Sequence, residues 1–152
     1  MSELEVGIVA SQFNQEIVDT LVADAVATLK KNNLTDDNIT IVRVPGAFEI
    51  PYAAQQLAAH VDAVITLGAV IRGETPHFDY VCDQCASGVM RVMLDEQTPI
   101  AFGVLTTETL DQAWARAKGE VSDDVTGKAP TGGGASAAQA ALDMINITED
   151  AL

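Results

Sequence analysis

Short apolar runs alternate with longer amphipathic segments along almost the whole chain. The runs have the length and the β-branched content of strands, and they lie at residues 4–10, 39–44, 62–70 and 99–105. The segments with helical periodicity lie at residues 14–31, 47–60, 76–95, 109–117 and 135–147. Strands that alternate with helices are joined by right-handed crossovers, so the pattern predicts a four-stranded parallel sheet with helices on both faces.

One segment interrupts this alternation. Residues 118–134 are polar and rich in glycine and have no apolar period, which predicts a mobile loop before the last helix. The pattern shows no internal repeat, and 152 residues is the size of one domain. We therefore expect a single domain over residues 1–152.

The charge of the chain narrows the choice of partners. There are 22 acidic residues against 8 basic ones, a formal charge of −14, which repels nucleic acid and anionic membranes. A small anion such as a phosphate ester can still bind where backbone amides and a cation converge. No apolar run approaches the roughly 20 residues of a membrane span, and no signal-peptide pattern is visible, so we expect a cytoplasmic protein.

Two cysteines raise the question of a metal or redox site. Cys82 and Cys85 form a Cys-x-x-Cys motif inside the helix predicted at 76–95. Zinc normally takes four ligands, and the chain can add only His60 and His77, of which His60 lies far off at the end of a different helix. We expect no metal, and we interpret the cysteines as small buried residues on a helix face.

In a parallel sheet ligands bind beyond the carboxyl ends of the strands, so the residues there are the first candidates for a site. The first predicted strand is followed by an exposed aromatic, Phe13, and by Asn14, which can cap the next helix. The second is followed by a turn with Phe48 and Glu49 side by side. Two aromatics in such turns indicate a flat ring held between them, although Phe13 could instead staple a helix and Glu49 could be solvated.

The third strand leads into the stretch TLGAVIRGETPHFDYV at 66–81. Its polar turn, residues 73–75, can direct backbone amides at an anion. Pro76 suits the first turn of a helix and holds His77 at the helix start, which makes this histidine a candidate acid or base. The alternatives are a histidine that only caps or packs and, for Arg72, an ordinary surface charge.

Five segments together carry a resemblance to a known family: SQFN at 11–14, VPGAFEIP at 44–51, TLGAVIRGETPHFDYV at 66–81, PIAFGVLTTETLDQAWARA at 99–117 and AALDMINI at 140–147. They resemble the 6,7-dimethyl-8-ribityllumazine synthases, the penultimate enzymes of riboflavin biosynthesis. The resemblance implies a flavodoxin-like three-layer α/β sandwich. It also implies condensation of 5-amino-6-(D-ribitylamino)uracil with 3,4-dihydroxy-2-butanone 4-phosphate, without a metal or an organic cofactor.

The resemblance assigns one set of residues to the pyrimidine substrate. Phe13 matches the aromatic that stacks on the ring. The other matches contact the ring and the ribityl chain, the last three of them through the backbone: Ala47, Phe48, Glu49, Ala69, Val70 and Ile71.

A second set is assigned to the phosphate and to proton transfer. Glu74 and Thr75 match the turn that receives the phosphate, and His77 matches the residue proposed to move protons. Phe102 and Arg116 match residues that a neighbouring subunit lends, the first against the ring and the second to the phosphate. The resemblance thus implies a homo-oligomer, a pentamer or a shell of pentamers, with its sites between subunits.

The sequence departs from the family pattern in several places. Gly133 stands where the family has a phosphate-binding lysine. Lys128, five residues earlier, could replace that lysine, but we favour the alternative that it is an ordinary solvated lysine. Pro76 should stiffen the phosphate turn. Because Leu4 already belongs to the first predicted strand, we expect the extra strand of many relatives to be missing. The lengthened segment 118–134 places acidic residues where pentamers would meet, which favours free pentamers.

Two other functions fit parts of the same pattern. A non-catalytic flavin-binding, lumazine-binding or shell-forming protein could share the fold, but it would not need His77 together with Arg116. The second alternative is an archaeal riboflavin synthase, which is paralogous to the lumazine synthases. The HFDYV and AFEIP segments resemble those of lumazine synthases more.

Overall fold

A computed structural model describes residues 3–121 and 130–152 of the chain. The strands are β1 (Val6–Ser11), β2 (Ile39–Val44), β3 (Ala63–Ile71) and β4 (Ile100–Thr107). The α-helices are α1 (Gln15–Lys31), α2 (Ile50–Ala58), α3 (His77–Glu96), α4 (Leu110–Lys118) and α5 (Gly133–Ala151). Short 3₁₀ turns occur at Asp36–Asn38 and Ala47–Glu49.

The four strands form one parallel sheet in the order β2-β1-β3-β4. Helices α1, α4 and α5 cover one face, and α2 and α3 cover the other. This arrangement confirms the predicted flavodoxin-like α/β fold. The chain proceeds from β1 outward to β2 and then returns past β1 to β3, so a crevice opens between the carboxyl ends of β1 and β3.

The two faces of the sheet have separate apolar cores. Alternate residues of the central strands point to opposite sides, as Ile65 toward α1 and α5 and Val64 toward α2 and α3 show. All residues of β1 are buried, which explains why this strand reads as a continuous apolar run. Among the described residues no helix is long and apolar enough to cross a membrane.

Helices α1 and α5 approach each other unusually closely at Gly134. A Cβ built at this position would overlap the backbone carbonyl of Leu21 in α1. Ala138 and Ala141 continue the buried face of α5 with further small side chains. The contact between the helices therefore depends on small residues, with a glycine at the tightest point.

The structure corrects several predicted boundaries. Pro76 is the N-cap of α3 and not part of its first turn, because the helix begins at His77. Helices α4 and α5 extend into both ends of the predicted loop 118–134, and Gly119 ends α4 in a left-handed conformation. The middle of that segment, with Asp123, Asp124 and Lys128, lies outside the described residues.

Candidate active site

A pocket of about 510 Å³ lies beyond the carboxyl ends of β1 and β3. Most of its lining is apolar or aromatic, as is typical of small-molecule sites. The lining residues come from the turns after β1 and β2, the end of β3 and the start of α3: Phe13, Gly46, Ala47, Phe48, Glu49, Ala69, Val70, Ile71, Gly73, Thr75, His77, Phe78, Tyr80 and Val81.

The turn after β1 is held by backbone hydrogen bonds to the turn after β2. The Gln12 amide donates to the Val44 carbonyl at 2.7 Å, and the Phe13 amide donates to the Pro45 carbonyl at 3.2 Å. The Phe13 ring makes no contribution to these bonds and is 72% exposed. An exposed ring on a fixed backbone is well placed to stack on a planar ligand.

Asn14 fixes the same turn in a way that the sequence did not predict. Asn14 is the N-cap of α1, as predicted, but its side chain makes no capping hydrogen bond and instead donates to the Ala69 carbonyl at 2.9 Å. Its backbone is left-handed, with φ of 60°, a conformation that asparagine tolerates better than most residues. Asn14 thus ties the Phe13 turn to the end of β3.

The turn after β2 forms the opposite part of the lining. Residues Ala47–Glu49 make one turn of 3₁₀ helix before α2, whose first turn contains Pro51. Ala47 is buried, whereas the Phe48 ring is 58% exposed and Glu49 is exposed. The expected pair of aromatics, Phe13 and Phe48, therefore lies around one pocket.

The end of β3 supplies the floor of the pocket. Ala69 is buried, and Val70 and Ile71 are half-buried where the strand leaves the sheet. Just before them, Gly68 allows β3 to lie close to the Ser11 side chain of β1, because a Cβ at Gly68 would lie only 2.9 Å from the Ser11 hydroxyl oxygen. Ser11 itself is buried, and its hydroxyl has no hydrogen-bond partner among the described residues.

The turn between β3 and α3 brings the candidate acid or base to the pocket. His77 is the first residue of α3, is exposed, and lines the pocket together with Gly73 and Thr75. Its backbone amide donates to the Thr75 hydroxyl at 3.4 Å, a long bond. Glu74 is exposed in the same turn but does not line the pocket.

Three further lining residues were missed by the sequence reasoning. Phe78, Tyr80 and Val81 follow His77 in the first turns of α3. Position 81 lies three residues after position 78 and four after position 77, so the three side chains lie on one side of the helix. The HFDYV motif read at helical spacing could have revealed this surface.

Arg72 is a surface residue whose side chain pairs with two carboxylates. Its Nε donates to Glu108 Oε2 at 2.6 Å, and its two Nη atoms donate to the carboxylate of Asp79 at 3.4 and 3.2 Å. These hydrogen bonds, the one to Glu108 first, raise the pKa of Arg72 above its already high value. Arg72 is thus exposed, as the alternative of a surface charge expects, and its guanidinium is in addition paired with two carboxylates.

Comparison with known proteins bears on what this pocket is for. The sequence model of the 6,7-dimethyl-8-ribityllumazine synthase family matches residues 3–149. This chain belongs to the 6,7-dimethyl-8-ribityllumazine synthase family. A relative of that name from Salinibacter ruber is 45% identical over 142 residues, which cover 92% of this chain and 85% of the relative. The family predicted from the sequence motifs is confirmed, and it is a family of riboflavin-biosynthesis enzymes.

Two residues that the family resemblance assigns to the site lie away from the pocket of their own chain. Phe102 is 44% exposed on β4, which is an edge of the sheet. Arg116 is half-buried on α4, and its Nη1 donates to the Gln112 carbonyl at 3.1 Å. Within one chain these residues do not meet His77 or Phe13 at the pocket.

The position at which the family resemblance implies a phosphate-binding lysine can also be located in the structure. Gly133, which stands at that position, is the first residue of α5. A Cβ there would lie 3.6 Å from the Arg116 carbonyl oxygen and 3.1 Å from Leu21 Cδ2. The position of the missing lysine is thus next to Arg116, on the side of the sheet covered by α1 and α5.

The cysteines do not form a reactive pair. Burial raises the pKa of Cys85 to about 12, and burial followed by the charges of Asp79 and Asp83 raises the pKa of Cys82. Both thiols therefore remain protonated near neutrality and are poor nucleophiles and metal ligands. Within residues 3–121 and 130–152 no cluster of three potential metal ligands occurs.

Proposed function

We propose that this chain condenses 5-amino-6-(D-ribitylamino)uracil with 3,4-dihydroxy-2-butanone 4-phosphate to 6,7-dimethyl-8-ribityllumazine. The reaction releases phosphate and water and proceeds in the cytoplasm without a cofactor. The observation that carries this proposal is the pocket, around which most of the residues matched to the family's site lie together. Membership of this family makes lumazine synthesis, which gives the family and its relative their name, the natural activity to assign.

The aromatic side of the pocket would hold the pyrimidine. The exposed rings of Phe13 and Phe48 offer faces for stacking. The end of β3, at Ala69, Val70 and Ile71, offers backbone groups for the polar edge of the pyrimidine ring. Glu49 is exposed beside Phe48 and can accept hydrogen bonds from the ribityl hydroxyls.

The turn between β3 and α3 would hold the butanone phosphate. Glu74 and Thr75 belong to the part of this turn that receives the phosphate, and His77 follows at the start of α3. The substrate amine attacks the ketone to give an imine with loss of water, phosphate leaves by elimination, and the second amine closes the ring with loss of water. Protons move at nearly every step, which suits an imidazole beside the reacting atoms.

The site would be completed by a second copy of the chain. Phe102 and Arg116 lie outside their own pocket, so the family roles of these residues require a neighbour to lend them. A heterologous contact of this kind satisfies every copy only when the copies close into a ring. The family resemblance implies five copies in such a ring, so the proposed active unit is a pentamer, and a monomer should be inactive.

Turnover tests the proposal directly. The protein is mixed with both substrates, and the absorbance and fluorescence of the lumazine are followed together with phosphate release. Formation of lumazine with matching phosphate release supports the proposal. Binding of riboflavin or lumazine without turnover would instead favour a non-catalytic binding or shell-forming protein.

The proposed phosphate contact of Arg116 gives a selective prediction. Arg116→Ala should raise the KM for the butanone phosphate by roughly 10- to 150-fold, the equivalent of the about 1.5–3 kcal/mol of a charge-assisted hydrogen bond. The KM for the pyrimidine should change little. Steady-state kinetics with each substrate varied in turn checks this, and equal effects on both values would contradict the assignment.

Lys128→Ala is the companion variant for this experiment. Lys128 lies outside the described residues, and it could either replace the lysine missing at Gly133 or be an ordinary solvated lysine. The same selective rise in KM would assign Lys128 to the phosphate. Unchanged kinetics would leave Arg116 as the phosphate cation of the described chain.

Assembly gives a further prediction. We expect free pentamers and not sixty-subunit shells, because the segment with Glu120, Asp123 and Asp124 would bring like charges together between pentamers. Light scattering at low and high salt checks this. A shell-sized particle at low salt would refute it, whereas shells that form only at high salt would identify screened repulsion as the barrier.

A further inference from the structure

Arg72 joins three elements at the mouth of the pocket. It follows the last residue of β3, and its backbone amide donates to the Thr107 carbonyl at the end of β4 at 2.9 Å. Its Nε lies 2.6 Å from Oε2 of Glu108, the residue that follows β4. The residue therefore anchors the start of the 73–76 turn to the neighbouring strand through both its backbone and its side chain.

The same side chain also holds the far end of the turn. Its two Nη atoms face the two oxygens of Asp79, which is the third residue of α3. The guanidinium carbon lies 4.5 Å from the centroid of the Phe78 ring, within the range of a cation–π contact. Phe78 lines the pocket, but Arg72 does not. Arg72 thus contacts the helix start that carries His77 without reaching the pocket itself.

The turn between these two anchors has few contacts of its own. All of residues 73–76 are exposed, and a Cβ at Gly73 would meet nothing within 4 Å. The hydrogen bonds at its end are the long one between the His77 amide and Thr75 and one of 3.0 Å between the Asp79 amide and the Pro76 carbonyl. The position of the turn therefore depends on how its two ends are held.

We propose that Arg72 is a positioning residue that sets the place of the 73–76 turn, and with it the imidazole of His77 and the residues proposed to bind the phosphate. This inference rests on the proposed function for its catalytic consequence. The proposed role requires an arginine at position 72, because only a planar guanidinium can pair with Glu108 through Nε while its Nη atoms face Asp79.

Kinetics of Arg72→Gln test the consequence for catalysis. We expect kcat/KM to fall on the order of 10- to 100-fold, because small misplacements of reacting groups are costly. KM for the butanone phosphate should rise more than KM for the pyrimidine, and Arg72→Lys should not restore the lost activity. The matched control is Arg91→Gln, which removes an exposed arginine paired with Asp95 on α3, and its kinetics should match the unaltered protein.

A double-mutant cycle separates positioning from general stability. If Arg72 acts through His77, then Arg72→Gln should lower kcat much less in a His77→Ala background than in the unaltered protein. A merely structural loss would lower kcat by the same factor in both backgrounds. Such full additivity would overturn the proposal.

Hydrogen exchange gives a readout that does not need turnover. Amides of residues 73–79 should exchange faster in Arg72→Gln than in Arg91→Gln, while the amides of β1 stay protected in both. Unchanged exchange in residues 73–79 would overturn the positioning role even if activity fell. If the unaltered protein forms no lumazine, the proposed function fails, and this exchange experiment still decides the role of Arg72.

A second variant covers the case in which Arg72→Gln does not fold. Glu108→Gln keeps the side-chain shape and retains Arg72, but it weakens the shortest of the Arg72 hydrogen bonds. We expect a smaller increase in exchange confined to the same residues, 73–79. If the amides of residues 73–79 exchanged at the same rate in Glu108→Gln as in the unaltered protein, that result would also count against the proposal.

Discussion

Replacement of His77 by alanine is expected to lower kcat on the order of 100-fold or more while both KM values stay nearly constant. A positioned acid or base contributes about 10²- to 10⁴-fold, and His77 is the histidine that lines the pocket. Binding should persist because the aromatic residues that would hold the pyrimidine lie in other segments. Some rate should remain, because the pocket still holds the two substrates together.

The control for this variant is His60→Ala. His60 is the other of the 2 histidines in the chain, and it is exposed just after α2, outside the pocket lining. Its replacement should leave kcat unchanged. A His77→Ala protein with full turnover would remove this histidine from the mechanism, whatever its position in the pocket.

Replacement of Gly134 by alanine is expected to cost about 3 kcal/mol or more of the free energy of unfolding, at the upper end of overpacking effects. The added methyl group would overlap the backbone carbonyl of Leu21, which cannot rotate away as a side chain would. Alanine is better than glycine in a helix by about 1 kcal/mol, which is too little to compensate. For a chain of this size, thermal unfolding should shift down by about 6–12 °C.

Gly73→Ala is the matched control for stability. The same methyl group at residue 73 would meet no atom within 4 Å, so the melting temperature should change little. Calorimetry of both variants at one pH makes the comparison. A Gly134→Ala protein as stable as the unaltered chain would show that α1 and α5 can separate without loss, against the packing described above.

Much of the fold could be predicted because its central strands are buried on both faces. A strand such as β3 then appears as a continuous apolar run, and the helices between the runs show their own period. The segments that surround the pocket were also predictable, since parallel strands end at one edge of the sheet. Phe13 and Phe48 are far apart in sequence, but both follow such strand ends.

The contacts of polar side chains could not be predicted in the same way. Arg72 pairs with Glu108, which is 36 residues later in the chain, and only the pairing of β3 with β4 brings them together. Asn14 was expected to cap the helix that follows it, but Ala69 offers its side chain an acceptor from a distant strand. Such choices depend on tertiary neighbours and not on local pattern.

The backbone bonds at the turn after β1 have a consequence for how this pocket can diversify. The Phe13 amide, the Gln12 amide and the Asn14 side chain hold the turn, and none of these bonds uses the Phe13 ring. Natural or engineered substitutions of the side chain at position 13 should therefore leave the backbone of this turn in place. Ligand preference and fold stability are separable traits at this position.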